Sequence, residues 1–190
     1  KTLEAAQKRV EGYNFDTRKN VVQYDNVINR HRRVVYTMRR KILEGSDIKH
    51  EIQRLIDEKI TELVYVPAKN NPQFKDQFES VFPVEEAIIN EIGAEKKDKI
   101  RKERAQDIVA KFYTGKEEEL GEDVVRKVER EVYLQVLDTL WMQHLENMQH
   151  LREGIHWRSV GQRDPLVEYR SESQKLFEGL QETLRDEVLR

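Results

Sequence analysis

Three observations predict an all-α fold. Proline and glycine are scarce, with 4 Pro and 8 Gly in 190 residues, and Pro67, Pro72, Pro83 and Pro165 all lie in short stretches. The runs between them are long and rich in Glu, Lys, Arg, Leu and Ala, which favour helix over strand. Within those runs apolar residues recur three and four apart, the period of a helix that buries one face. Charged and hydrophobic residues each make up 37% of the chain, so apolar side chains are too few for a thick multilayer core. The length suits one large domain or two small ones.

Residues 1–45 read as one long helix. Proline is absent and Gly12 is the only glycine before Gly45, which supplies the expected stop. The apolar stripe runs Leu3, Ala6, Val10, Val21, Tyr24, Ile28, Val35, Met38 and Ile42. Unbroken at Gly12 and Asn14, 44 residues make a rod of about 66 Å, against roughly 40 Å across a compact globule of this size. Such a rod overhangs its own domain, so its stripe must lie on something outside the chain.

Residues 46–121 read as a small helical subdomain. Ser46 caps a helix with the stripe Ile48, Ile52, Leu55, Ile56, Ile60 and Leu63. Residues 64–83 carry three of the four prolines and read as an irregular connection. A short helix from Val84 to Ile92 closes at Gly93, and a charged helix over 95–113 faces Ile100, Ile108, Val109 and Phe112 inward.

Residues 122–190 read as an antiparallel helical hairpin. One stripe runs Val125, Val128, Val132, Val136 and Leu140, joined by Leu137, Trp141, Leu145, Met148 and Leu151. The period is lost over Arg152–Asp164. Asp164 followed by Pro165 is a helix start, with the cap on the aspartate and proline in the first turn. The matching stripe is Leu166, Tyr169, Leu176, Phe177, Leu180, Leu184 and Val188. Val132, Val136, Leu140, Trp141, Tyr169, Phe177 and Leu180 are the expected hairpin core.

The composition excludes several kinds of function. A formal charge of −2 gives no global basic field for nucleic acid. Cysteine is absent, which removes disulfides, thiol chemistry and Cys-ligated zinc. No apolar stretch approaches the roughly 20 residues that span a bilayer. The opening Lys1-Thr2-Leu3-Glu4 is no signal peptide, and a start without Met inside a helical pattern suggests a piece of a longer protein.

Motif look-alikes carry little. Thr114-Gly115-Lys116 lacks the G-x-x-x-x-G-K-[ST] spacing of a phosphate loop and reads as a helix-ending turn. His144, His150 and His156 are six apart, which places them on different faces of a helix rather than around one metal. The basic runs at Arg30–Arg33, Arg39–Lys41 and Lys96–Arg104 read as solvated faces, with acids interleaved and no aromatic stacking platform. Neither a catalytic nor a cofactor-binding nor a metal-ligating set is expected in this chain.

The hairpin loop is the unusual part. Ile155, Trp157 and Val160 lie among Arg152, Arg158, Gln162 and Arg163 at an expected exposed tip, where apolar residues need a partner to cover them. The residues themselves leave three readings open: a part of a larger machine, a freestanding helical adaptor, or a nucleic-acid-binding helical domain.

Residues 9–33, RVEGYNFDTRKNVVQYDNVINRHRR, and residues 134–169, LQVLDTLWMQHLENMQHLREGIHWRSVGQRDPLVEY, carry identities and order that closely resemble the C-terminal part of the SecA family of protein-export motors. The resemblance is highly specific there, including the LREGI and QRDP elements, and is one of layout over 46–121. It implies a long scaffold helix over 1–45, a helical wing over 46–121 and a two-helix finger over 122–190. The fingertip residues Arg152, Ile155, Trp157, Arg158, Val160, Gln162 and Arg163 would contact the channel and the translocating preprotein. Val160 stands where many members of the family carry tyrosine; Trp157 is the nearest aromatic. Phe15, Asp16, Arg18, Tyr24, Asp25 and Arg32 would face the motor domains, which this sequence does not include. ATP and Mg are implied only for those domains, with no cofactor in this chain. The implied partners are the remaining motor, a SecY-type channel, unfolded preprotein and an acidic membrane surface, with no nucleic acid. The implied location is cytoplasmic and peripheral, at the inner face of the bacterial membrane.

Overall fold

A computed structural model describes residues 2–44, 47–65, 74–95, 97–158 and 164–190, with side chains at all of these except 2–6, 13, 16, 17, 19, 20 and 156–158. Among the described residues there are seven α-helices and no strand. They are α1 (Thr2–Leu43), α2 (Ile48–Tyr65), α3 (Phe74–Val81), α4 (Glu86–Ala94), α5 (Asp98–Leu120), α6 (Glu122–Arg158) and α7 (Pro165–Leu189). The all-α expectation holds. None of these helices is long and apolar enough to cross a membrane.

The chain divides into two compact units, one of residues 1–40 with 139–180, the other of 41–138 with 181–190. The units therefore cut across α1, α6 and α7, whereas periodicity suggested cuts near 45 and 121.

Helix α1 is unbroken through Gly12 and Asn14. A single glycine costs a helix only about 1 kcal/mol, too little to interrupt so long a run. Its stripe is buried only in part. Tyr24, Val35 and Ile42 are buried, while Val10, Phe15, Val21 and Val22 are exposed.

The second unit is built on α2–α5. Gly45 and Ser46 lie outside the described residues, and the visible cap of α2 is Asp47, whose Oδ1 accepts the His50 N–H at 3.3 Å. The α2 stripe is buried as periodicity predicted, with Ile56 half-buried at its edge. Within the stretch expected to be irregular, Phe74–Val81 forms α3, whose Phe78 is fully buried. That one aromatic anchors a helix too short to stand on its own propensity. The core gathers Ile60, Leu63, Val64, Phe78, Val81, Phe82, Ile89, Ile92, Ala105 and Val109. Gly93 lies inside α4 rather than ending it.

Helix α5 runs past its expected end at residue 113, so Thr114-Gly115-Lys116 is helical rather than a turn. Partners downstream hold the extra turns. Glu117 accepts hydrogen bonds from Lys49 at 2.9 Å and from Arg126 at 2.5 Å, and Arg126 also reaches the Tyr113 hydroxyl at 2.5 Å. The Tyr113 hydroxyl donates to Glu129 at 2.6 Å. Burial pushes the Glu129 carboxyl above the usual carboxylate range, against the pull of Tyr113 and Arg126. The helix ends at Gly121, whose φ of 88° suits glycine, and the Gly121 N–H donates to the Glu117 carbonyl at 2.9 Å. Phe112 is partly exposed rather than inward, because Ala105 and Val109 take the buried face with Arg101.

Arg101 stands apart from the exposed Lys97, Lys99 and Arg104 of its basic run. It is buried and donates Nε and Nη2 to the Glu95 carbonyl at 3.0 and 2.7 Å, and Nη1 to the Val64 carbonyl at 3.3 Å. It thus satisfies backbone acceptors where α2 and α4 end, which would otherwise be left unpaired. Lys59 is likewise buried, joined to Glu62 at 3.0 Å and Asp186 at 2.9 Å.

Candidate functional site

The first unit packs parts of α1, α6 and α7 around side chains on which the sequence had placed functional roles. Helix α6 continues to Arg158, so residues 152–158 of the stretch expected to lose its period are helical, and 159–163 lie outside the described residues. Asp164 caps α7 as its sequence requires, its Oδ1 accepting the Leu166 N–H at 2.9 Å.

The α6 stripe is rotated from its valine part. Val132, Val136 and Leu140 are only half-buried and Val128 is exposed, whereas Leu137, Trp141 and Met148 are buried as expected, together with Tyr133, His144 and Ile155. Both stripes have helical period. Valine spacing favoured one, and the larger side chains at 133, 137, 141, 144 and 148 took the core because they remove more apolar area from water. The α7 residues Tyr169, Phe177 and Leu180 are buried as expected.

At the centre, His31 on α1 and His144 on α6 face each other, with His31 Nδ1 3.0 Å from His144 Nε2. One ring N–H donates and the other ring's lone pair accepts, an arrangement that needs the accepting ring neutral. The His31 ring lies flat on Phe177, with centroids 4.3 Å apart and an interplanar angle of 4°, while Trp141 stacks against His144 at 5.6 Å. Burial lowers the pKa of His31. The His144 pKa falls to about 4, first through burial and then through His31. Buried and hydrogen-bonded to each other, the two rings form a polar layer between α1 and α6. His144 had been weighed only as a metal ligand, although its place three residues after Trp141 and four before Met148 put it on the buried face.

Nearer the tip, Tyr24, Met148, Ile155 and Tyr169 form a buried cluster with Val27, Ile28, Leu151, Leu166 and Leu176 against it. The Tyr24 and Tyr169 rings meet edge to face at 4.8 Å. Arg152 donates from Nη1 to Asp25 Oδ1 at 3.3 Å, and its guanidinium lies 5.9 Å from the centre of the Tyr24 ring. Burial raises the Tyr24 pKa, Asp164 adds to the rise and Arg152 opposes it.

This geometry redistributes the expected site residues. Ile155, expected at an exposed tip, is fully buried, because α6 persists past it and turns it inward. Tyr24, expected to face absent domains, is buried within the unit, and Asp25 is paired with Arg152. Phe15 is 63% exposed. Arg18 is exposed and donates to the Asn14 carbonyl at 3.3 Å, and Arg32 to Asn29 Oδ1 at 2.8 Å. The side chains of Asp16, Trp157 and Arg158, and all of Val160, Gln162 and Arg163, lie outside the described residues.

A three-helix unit with a polar layer, a compact helical unit beside it in sequence and uncovered apolar side chains on a long helix define an all-helical scaffold module. A family model described as the SecA Wing and Scaffold domain matches residues 1–190. The chain belongs to the SecA wing and scaffold family. It is 39% identical to the protein translocase subunit SecA of Halothermothrix orenii, over 100% of this chain and 23% of that relative. It is 36% identical to protein translocase subunit SecA 1 of Thermobifida fusca and 37% identical to that of Clostridioides difficile, covering 100% of this chain and 21% and 22% of those proteins. The chain therefore spans less than a quarter of the length of these relatives.

Proposed function

We propose that this chain is the scaffold, wing and two-helix finger of a SecA-type protein translocation motor. It carries ATP-driven movement of nucleotide-binding domains elsewhere in the polypeptide to the hairpin tip, which meets unfolded preprotein at a SecY-type channel. The observation that carries this reading is the family match over all 190 residues. The uncovered Val10, Phe15, Val21 and Val22 on α1 support it, since such side chains call for a covering surface. ATP and Mg belong to the motor domains in this reading. The assembly works at the cytoplasmic face of the bacterial membrane, held by the channel and by acidic lipid.

The chain has no cysteine, so Val160→Cys introduces one thiol into it for a short photo-crosslinker. In the complete translocase subunit, with any other accessible cysteines replaced, illumination beside channel-containing vesicles and an unfolded secretory protein should give adducts to the channel or the preprotein. The same label at Lys99, an exposed wing residue, should give none. Silence from Val160→Cys in the working motor would overturn the finger assignment and favour a freestanding helical adaptor.

A further inference from the structure

The residues assigned by resemblance to two different partners touch each other instead. Arg152, expected to meet the channel, reaches Asp25, expected to meet the motor, at 3.3 Å, and lies over Tyr24. Tyr24 in turn packs edge-on against Tyr169 at 4.8 Å. Both described flanks of the tip are thereby tied to one turn of α1. The α6 flank is held through Arg152 and the buried Met148 and Ile155. The α7 flank is held through Tyr169.

We infer that Arg152 and Asp25, seated on the Tyr24–Tyr169 pair, are positioning residues that fix the end of α6 and the start of α7 relative to α1. This rests on the finger reading and deepens it by naming where movement of α1 passes to the tip.

The chemistry suits a registering contact more than a stabilising one. Arg152 and Asp25 keep 45% and 51% of their side-chain surface exposed. Water and salt screen such a pair, so it adds little to global stability. A guanidinium is directional, and here it makes a hydrogen bond to a carboxylate while its face lies against an aromatic ring. Rotation of the α6 end about its own axis breaks both contacts at once. The apolar cluster beneath is less discriminating, because Met148 and the surrounding Leu and Ile side chains can repack. The polar pair therefore selects one orientation among several that the apolar contacts tolerate.

The test uses the complete translocase subunit, with spin labels at Val167→Cys, exposed in the first turn of α7, and Arg33→Cys, and inter-label distances read by pulsed electron resonance. Arg33 is exposed on α1 and outside the pair. The parent protein should give one narrow distance distribution. Arg152→Gln and Asp25→Asn should each populate other distances about fivefold more, the change expected on removing one exposed ion pair. Preprotein transport should fall in step while channel binding is retained. The exchange variant Asp25→Arg/Arg152→Asp restores opposite charges and should narrow the distribution and recover transport. Unchanged distances in both single variants would overturn the inference, as would broadened distances with undiminished transport. Where a single variant also lowers the melting temperature, the exchange variant decides: without recovery the inference fails. The finger reading fails separately, if Val160→Cys gives no crosslink in the parent protein.

Discussion

The two units of this chain solve the same problem, burying helix faces, with different chemistry. The second unit fills its centre with aliphatic side chains and the three rings of Phe74, Phe78 and Phe82, whose neighbours lie 5.6 and 5.1 Å apart. Its ion pairs lie around that core, among them Lys49, Glu117, Arg126 and Glu129. The first unit instead places a hydrogen-bonded imidazole pair between an indole and a phenyl ring at its centre. The second unit's buried polar side chains are Arg101, held by backbone carbonyls, and Lys59, held by carboxylates, and neither belongs to its apolar cluster. A buried polar pair costs desolvation and returns geometric uniqueness, since only one alignment of the helices joins the two rings.

Four measurements would sharpen or break this contrast. The largest effect is expected in the second unit. Phe78→Ala should cost about 3–5 kcal/mol in a denaturant melt, through lost burial and a cavity left behind. In the first unit Leu180→Ala, 6% exposed, should cost about 2–5 kcal/mol, while Leu140→Ala, only half-buried, should cost about half as much. Equal losses at 140 and 180 would mean that the rotated α6 stripe is wrong.

The third measurement is a pH series. The folded pKa of His144 lies near 4, below the ordinary histidine value. The unfolded chain therefore binds more protons than the folded one between about pH 6.5 and 4, and stability must fall as pH falls through that window. The expected loss from pH 7 to pH 5 is about 2 kcal/mol, read from melts. His144→Gln should remove most of the slope while leaving a hydrogen-bond partner for His31. A slope that survives would place its origin in other groups. The smallest effect is expected for Asp164→Ala, which deletes the cap on Leu166 and should cost about 1 kcal/mol, with faster hydrogen exchange confined to the first turn of α7.

The candidate site was legible in unequal parts. Asp164-Pro165 specified its cap through local chemistry alone, and the structure repeats it. Arg101 looked like one more solvated cation in a basic run and proved to be a buried clamp on two helix ends. Nothing within its own helix could report that, because its acceptors belong to residues 64 and 95. Ile155 looked exposed because Gly154 and Gly161 suggested a loop. Packing against Tyr24 and Tyr169 holds that segment in helix instead.

By itself the sequence determined that the chain is helical, where α2 buries its face, where α7 begins, and which family it belongs to. These depend on neighbours within about one helical turn, or on identities that need no geometry. Only the tertiary structure decided which of two overlapping stripes on α6 turns inward, that His31 meets His144, and that Arg152 meets Asp25. Those outcomes depend on residues 113 and 127 positions apart along the chain. Such pairs are selected by shape and burial across helices, and no periodicity in one segment encodes them.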